Sequence, residues 1–171
     1  GRIGYQKNFE AAVEVAKIVL PKHPDWSWDI FGDGEGRDAL EALIEREGLK
    51  DRINLLGRVP DLYDRYKDYS IQVMTSRYEG FPMALIEGGV NGIPAVSFDV
   101  YTGPNEIIKN GESGYLIEPL DTDKMAEAVC SLIDDRESRI SMSKRAKEIA
   151  LALDVSKIAD EWVELLTQYK N

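Results

Sequence analysis

Glu79-Gly80-Phe81-Pro82-Met83-Ala84-Leu85-Ile86-Glu87 is the stretch from which the rest of the chain can be read. An apolar, strand-like run, Ile71 to Thr75, precedes it, and a helical pattern opens inside it with Pro82 near its first turn. A strand that hands over to a helix through a short loop is the unit of open α/β sheets. Such sheets bind ligands outside the carboxyl ends of their strands, where Glu79 falls. Glu87 follows roughly two helical turns later. An ionised carboxylate accepts several hydrogen bonds, so both acids are candidate partners for sugar or ribose hydroxyls. On spacing alone, a loop acid and a solvated helix glutamate account for the pair equally well.

The same alternation extends both ways. Phe9, Ala12, Val13, Ala16, Val19 and Leu20 predict a helix starting near Lys7 or Asn8, stopped by Pro21 and Pro24. Trp26, Trp28 and Ile30 alternate as a strand before the Gly32-Asp33-Gly34 turn. Ala39 to Ile44 reads as a helix closed by Gly48, Ile53 to Leu56 as a strand, and Leu62, Tyr63, Tyr66 and Tyr69 as a short helix. Pro82 to Asn91 is helical, Ala95 to Phe98 a strand, Asn105 to Lys109 a helical turn, Gly114 to Ile117 a strand and Met125 to Ile133 a helix. The tail, residues 136–171, carries two mostly surface-type helices, Ser138 to Leu153 and Ser156 to Tyr169, expected to pack on the sheet domain or a partner domain. Strands alternating with helices predict an α/β fold, a parallel sheet covered by helices on both faces. A helix near Lys7 is normally preceded by a strand, so Gly1 reads as a cut in a longer protein.

The chain has 171 residues, enough for one domain with a core. A net charge of −10 argues against nucleic acid or an anionic membrane as the main partner. No apolar run approaches the ~20 residues of a membrane-spanning helix. The single cysteine, Cys130, excludes an internal disulfide, fits a reducing compartment and sits in a helical run as a core thiol. The lone histidine, His23, lies between two prolines and reads as a surface residue.

Cations beside a candidate anion site stand out in so acidic a chain. Arg2 and Lys7 flank the Gly4 loop at the start of the first helix, within reach of a diphosphate. Gly32-Asp33-Gly34-Glu35-Gly36 sits where a phosphate-binding loop would, but Arg37 occupies the third glycine position of the dinucleotide fingerprint. A tight turn needing positive φ explains it as well. Thr102-Gly103-Pro104-Asn105-Glu106 offers either free amides to a phosphate or an ordinary capped turn. Asp121-Thr122-Asp123 resembles a two-acid metal motif but reads as a helix cap, and no cluster has metal-ligand spacing.

Taken in order, these motifs resemble the nucleotide-sugar-binding, C-terminal half of a family 4 glycosyltransferase of the two-lobed GT-B type. The resemblance runs nearly end to end: Gly1-Arg2 with Lys7-Asn8, Gly32-Asp33-Gly34, Leu56-Gly57-Arg58-Val59, Glu79-Gly80-Phe81-Pro82 to Glu87, Gly92-Ile93-Pro94, Gly103-Pro104-Asn105-Glu106-Ile107-Ile108 and Asn110-Gly111-Glu112-Ser113-Gly114. It implies a Rossmann-like fold and a donor domain spanning 1–171, cut at its N-terminus, without the acceptor-binding lobe and inactive alone. It implies retaining, metal-independent transfer from a UDP-hexose or UDP-N-acetylhexosamine in cell-surface polysaccharide synthesis, in the cytoplasm. The full enzyme could then be peripheral to a membrane. By the same resemblance Arg2 and Lys7 bind the diphosphate, and Glu79 holds the donor sugar beside Gly80 and Phe81. Glu87 binds the ribose and Arg58 and Val59 line the base pocket. Gly103, Pro104, Asn105 and Glu106 sit beside sugar and phosphates. Pro82 stands where many relatives have glycine and offers no N–H to the sugar. A non-catalytic nucleotide-sugar-binding module and a sugar-nucleotide epimerase of the same fold are the competing readings.

Overall fold

The computed structural model describes residues 1–169. Five strands, β1 (Trp28–Phe31), β2 (Ile53–Gly57), β3 (Gln72–Met74), β4 (Ala95–Phe98) and β5 (Gly114–Ile117), alternate with helices. These are α1 (Phe9–Val19), α2 (Arg37–Arg46), α3 (Leu62–Arg65, continued by a 3-10 turn Tyr66–Asp68), α4 (Met83–Val90), α5 (Pro104–Ile107), α6 (Thr122–Asp134), α7 (Arg136–Ala152) and α8 (Val155–Gln168). Every strand pairing is parallel. The boundaries fall close to those read from periodicity, with Pro82, expected near the first turn, as the N-cap of α4.

β4 shows why helices must cover both faces. All four of its residues are buried, and successive side chains point to opposite sides of a strand. Val96 and Phe98 pack with Val15 and Val19 of α1 and Met125 and Leu132 of α6. Ala95 packs on the other side with Leu85 of α4 and Ile107 of α5. A strand buried on both faces suits a parallel sheet.

The ladder is interrupted. β1 pairs only with β2, and β3 pairs only with β4. Between the open edges of β1 and β3 lies a cavity of about 840 Å³ lined by both strands, among them Trp28, Ile30, Val73 and Met74. α1 spans the interruption: Val15 and Val19 belong to the core of β4, whereas Val13, Ala16 and Leu20 join Ile30 of β1 and Leu40 of α2.

The two tail helices part company. α7 packs on α4, with Met142, Ala146 and Ala150 buried and Gly89 too close to Ala150 to accept a side chain without movement. α8 buries no residue and leaves Val155, Trp162 and Leu166 open, so only the first half of the tail packs on this domain. His23 is a correction. Its side chain is only 11% exposed, with Nδ1 3.7 Å from Asp134 and Nε2 buried without a partner. The two flanking prolines suggested an exposed corner, but the turn folds back onto the end of α6.

Candidate functional site

Three loops meet at the carboxyl ends of the strands: the chain before α1, the loop after β3 and the loop after β4. Backbone polarity ties them together. Arg77 N donates to Gln6 O at 2.8 Å, and Gln6 Nε2 donates to Tyr78 O at 3.2 Å. The Thr75 hydroxyl reaches the carbonyls of Lys7 and Asn8 at 3.1 and 3.0 Å. Asn8, buried and in the left-handed region at φ 51°, accepts from Arg77 Nη2 at 2.8 Å. Thr102 Oγ1 donates to Glu79 O at 2.5 Å. Gly103, at φ 95°, lies so close to Gly80 O and Pro82 that a Cβ would collide with both.

This frame places Lys7 against Glu79. Lys7 Nζ stands 2.6 Å from Glu79 Oε1, and the Glu79 side chain is 7% exposed against 25% for Lys7. Arg2 ends elsewhere. It bonds Glu35 at 2.9 Å with both side chains largely in solvent. Arg2 is therefore free to turn, whereas Lys7 is held.

Glu87 of α4 is met by two phenols. Tyr63 Oη donates to Oε1 at 2.9 Å and Tyr66 Oη to Oε2 at 3.0 Å. Burial first, and then the charge of Glu87, push the Tyr66 phenol well above its ordinary pKa, so it remains a donor. Tyr63 shifts upward too, chiefly through its hydrogen bond to Glu87. Glu87, Tyr66, Lys7 and Gly1 all line the 840 Å³ cavity between β1 and β3.

The other sequence candidates make no ion pair with Lys7 or Glu79 among the described residues. Arg58 is exposed and Val59 half-buried at the end of β2. Gly80 and Phe81 are exposed in the loop before α4, Pro104 is buried, and Glu106 is exposed. Asn105 donates to Asp99 at 3.2 Å. α5 is a single turn, so its macrodipole is slight. Gly32 and Gly34 have a packing reason: side chains there would strike the backbone of Gly1 and Ile3. Ile3 N donates to Asp33 O and Gly36 N to Ile3 O, so these groups serve the fold. Asp121 caps α6 by accepting from Lys124 N at 3.0 Å, and this hydrogen bond holds its carboxyl below the usual range. Among the described residues no group of three His, Cys, Asp or Glu side chains comes together as a metal site. Burial pushes the Cys130 thiol up, away from nucleophile chemistry.

Sequence reasoning missed Thr102 as a fixer of the Glu79 loop and the two tyrosines as partners of Glu87. The spacing of Tyr63 and Tyr66, which puts both on one face of a helical turn, was the available signal.

A profile described as "Glycosyl transferases group 1" matches residues 1–149. An exopolysaccharide phosphotransferase of Streptomyces coelicolor is 35% identical over 168 residues, covering 98% of this chain and 18% of that protein. A poly(ribitol-phosphate) alpha-N-acetylglucosaminyltransferase of Staphylococcus aureus is 28% identical over 160 residues, 93% of this chain and 32% of that one. Among solved structures, a mutant of S. aureus TarM in complex with fondaparinux, alpha-GlcNAc-glycerol and UDP superposes with a TM-score of 0.91 at 27% identity. That superposition covers 96% of this chain and 34% of TarM. The chain thus spans about a third of the length of two of these relatives and less than a fifth of the other.

Proposed function

The chain belongs to the group 1 glycosyl transferases, with the Rossmann-like fold of the C-terminal half of a GT-B enzyme, and from that premise we propose that it is the donor-binding domain of a retaining family 4 transferase. In this reading the donor is a UDP-hexose or UDP-N-acetylhexosamine, no metal is required, and the product is a cell-surface polysaccharide made on the cytoplasmic side. The single observation that carries it is the held pair of Lys7 and Glu79, fixed where three loops meet at the carboxyl ends of the strands.

The chemistry follows from the charges. Departure of a nucleoside diphosphate leaves negative charge on the phosphates while the sugar becomes oxocarbenium-like. A fixed ammonium at Lys7, joined by Arg2 turning in from solvent, would stabilise the leaving group. Glu79 would accept hydrogen bonds from donor sugar hydroxyls, with the amides of Gly80 and Phe81 beside it. Glu87 would take the ribose, Arg58 and Val59 the base, and the Gly103–Glu106 turn would flank sugar and phosphates. The UDP present in the TarM complex supports the choice of nucleotide, and the exopolysaccharide and poly(ribitol-phosphate) in the relatives' names support the product class. No helix among the described residues is long and apolar enough to cross a membrane.

The partial coverage of the relatives supports a further lobe that binds acceptor, leaving this domain to bind donor without turnover. The interrupted ladder fits a strand leading into Gly1, whose nitrogen already bonds Phe31 O at 2.5 Å beside the cavity. An apolar strand-forming extension before Gly1 should raise the melting temperature where a Gly/Ser extension does not. Calorimetric titration with UDP, GDP and ADP, each with and without EDTA, tests the donor. Selective, EDTA-insensitive UDP binding is expected. Loss of UDP binding in EDTA would overturn metal independence, and preference for GDP or ADP would overturn the uridine assignment.

A further inference from the structure

Glu87 differs from Glu79 and Glu35 in what holds it. Glu79 and Glu35 are each paired with a cation. Glu87 has no ion pair among the described residues and is held by two neutral phenols, one on each oxygen. A carboxylate has about four acceptor positions, so two phenols leave roughly one on each oxygen. That is the acceptor pattern of a vicinal diol, which offers two adjacent O–H donors.

The two phenols are not equivalent. Tyr66 is 9% exposed, and its ring is fixed in the wall of the cavity that Glu87 lines. Tyr63 is 65% exposed. Their rings lie 6.4 Å apart, tilted by 57°, so neither locks the other by stacking. Tyr63 can therefore leave Glu87 for water at little cost, while the enclosed Tyr66 exchanges far less readily.

We propose that Tyr66 is a positioning residue that aims the Glu87 carboxylate at the ribose diol of the donor nucleotide, and that Tyr63 occupies in the free protein an acceptor position that a ribose hydroxyl takes over. This rests on the reading of Glu87 as the ribose ligand. Tyr66 acts through Glu87 and makes no contact with the reacting atoms. Replacing it with phenylalanine keeps the buried ring and removes only the donor, so the fold is retained while Glu87 loses its direction.

The test is calorimetric titration of the full chain with UDP and with 2′,3′-dideoxyuridine diphosphate. The wild type should prefer UDP by roughly 10- to 100-fold, the worth of hydrogen bonds to a charged group. Tyr66→Phe should shrink that ratio by about tenfold, whereas Tyr63→Phe should keep it or bind UDP more tightly. A general loosening would weaken both nucleotides alike and leave the ratio unchanged. An unchanged ratio in Tyr66→Phe, with the wild type discriminating, overturns the role of Tyr66 alone. A wild type that binds both nucleotides equally overturns the ribose reading, and one that binds neither overturns the nucleotide site itself.

Discussion

Arg2 and Lys7 leave the same loop and end in opposite surroundings. Lys7 reaches a carboxylate that is almost wholly enclosed, and Arg2 reaches one that stands in solvent. Sequence alone treats them as two equal cations beside a glycine. The structure separates them by depth, and depth decides worth. An exposed ion pair contributes about 0–1 kcal/mol and is screened by salt, whereas stranding one partner of an enclosed pair costs several times more. Lys7–Glu79 is thus a built part of the site, and Arg2–Glu35 is a resting place for a side chain that can be recruited.

The sharpest way to break this comparison is Lys7→Ala. It should cost about 2–3 kcal/mol of stability, because the enclosed Glu79 loses its partner. Denaturant midpoints measure this, and adding Glu79→Ala should recover part of the loss. Glu79→Gln should come next. It should weaken a UDP-sugar by roughly tenfold while leaving free UDP within about threefold, a difference that calorimetry reads directly. Arg2→Ala should leave stability within about 0.5 kcal/mol of wild type. Its effect on UDP affinity should stay below about tenfold and fade as salt rises from low to physiological concentration.

The smallest effect concerns acid. A bond from its own backbone amide, and then Arg2, hold the Glu35 carboxyl below its ordinary value of 4.5. A carboxylate with a depressed folded-state pKa stabilises the fold above the ordinary value. That contribution is lost as pH falls through the depressed one. Glu35→Gln should therefore flatten the stability curve only slightly, and only below about pH 4.5. A large change there would mean that the Arg2 loop is more firmly held than its exposure indicates.

Much of the fold was legible because periodicity is a local signal. β4 and β5 fall on the residues that alternation and turn glycines indicated, and α1 ends where Leu20 meets Pro21. Contacts between distant segments were less legible. Tyr63 and Tyr66 read as faces of a short helix, and their hydroxyls find Glu87 only because the fold brings that turn within hydrogen-bonding reach of α4. Gly32 and Gly34 read as a possible phosphate loop, yet the backbone of Gly1 to Ile3 passes against them and requires the missing side chains. His23 read as exposed because prolines mark corners, but burial is set by what the corner folds against. α7 and α8 read alike, and only packing on α4 tells the first from the second.

The most direct test of the account is calorimetric titration of wild type and Lys7→Ala with UDP and with uridine, in EDTA. Wild type should bind UDP at least about tenfold more tightly than uridine, and Lys7→Ala should remove most of that difference while leaving uridine affinity unchanged. Equal affinity for UDP and uridine in the wild type, or a full UDP preference surviving in Lys7→Ala, would contradict it.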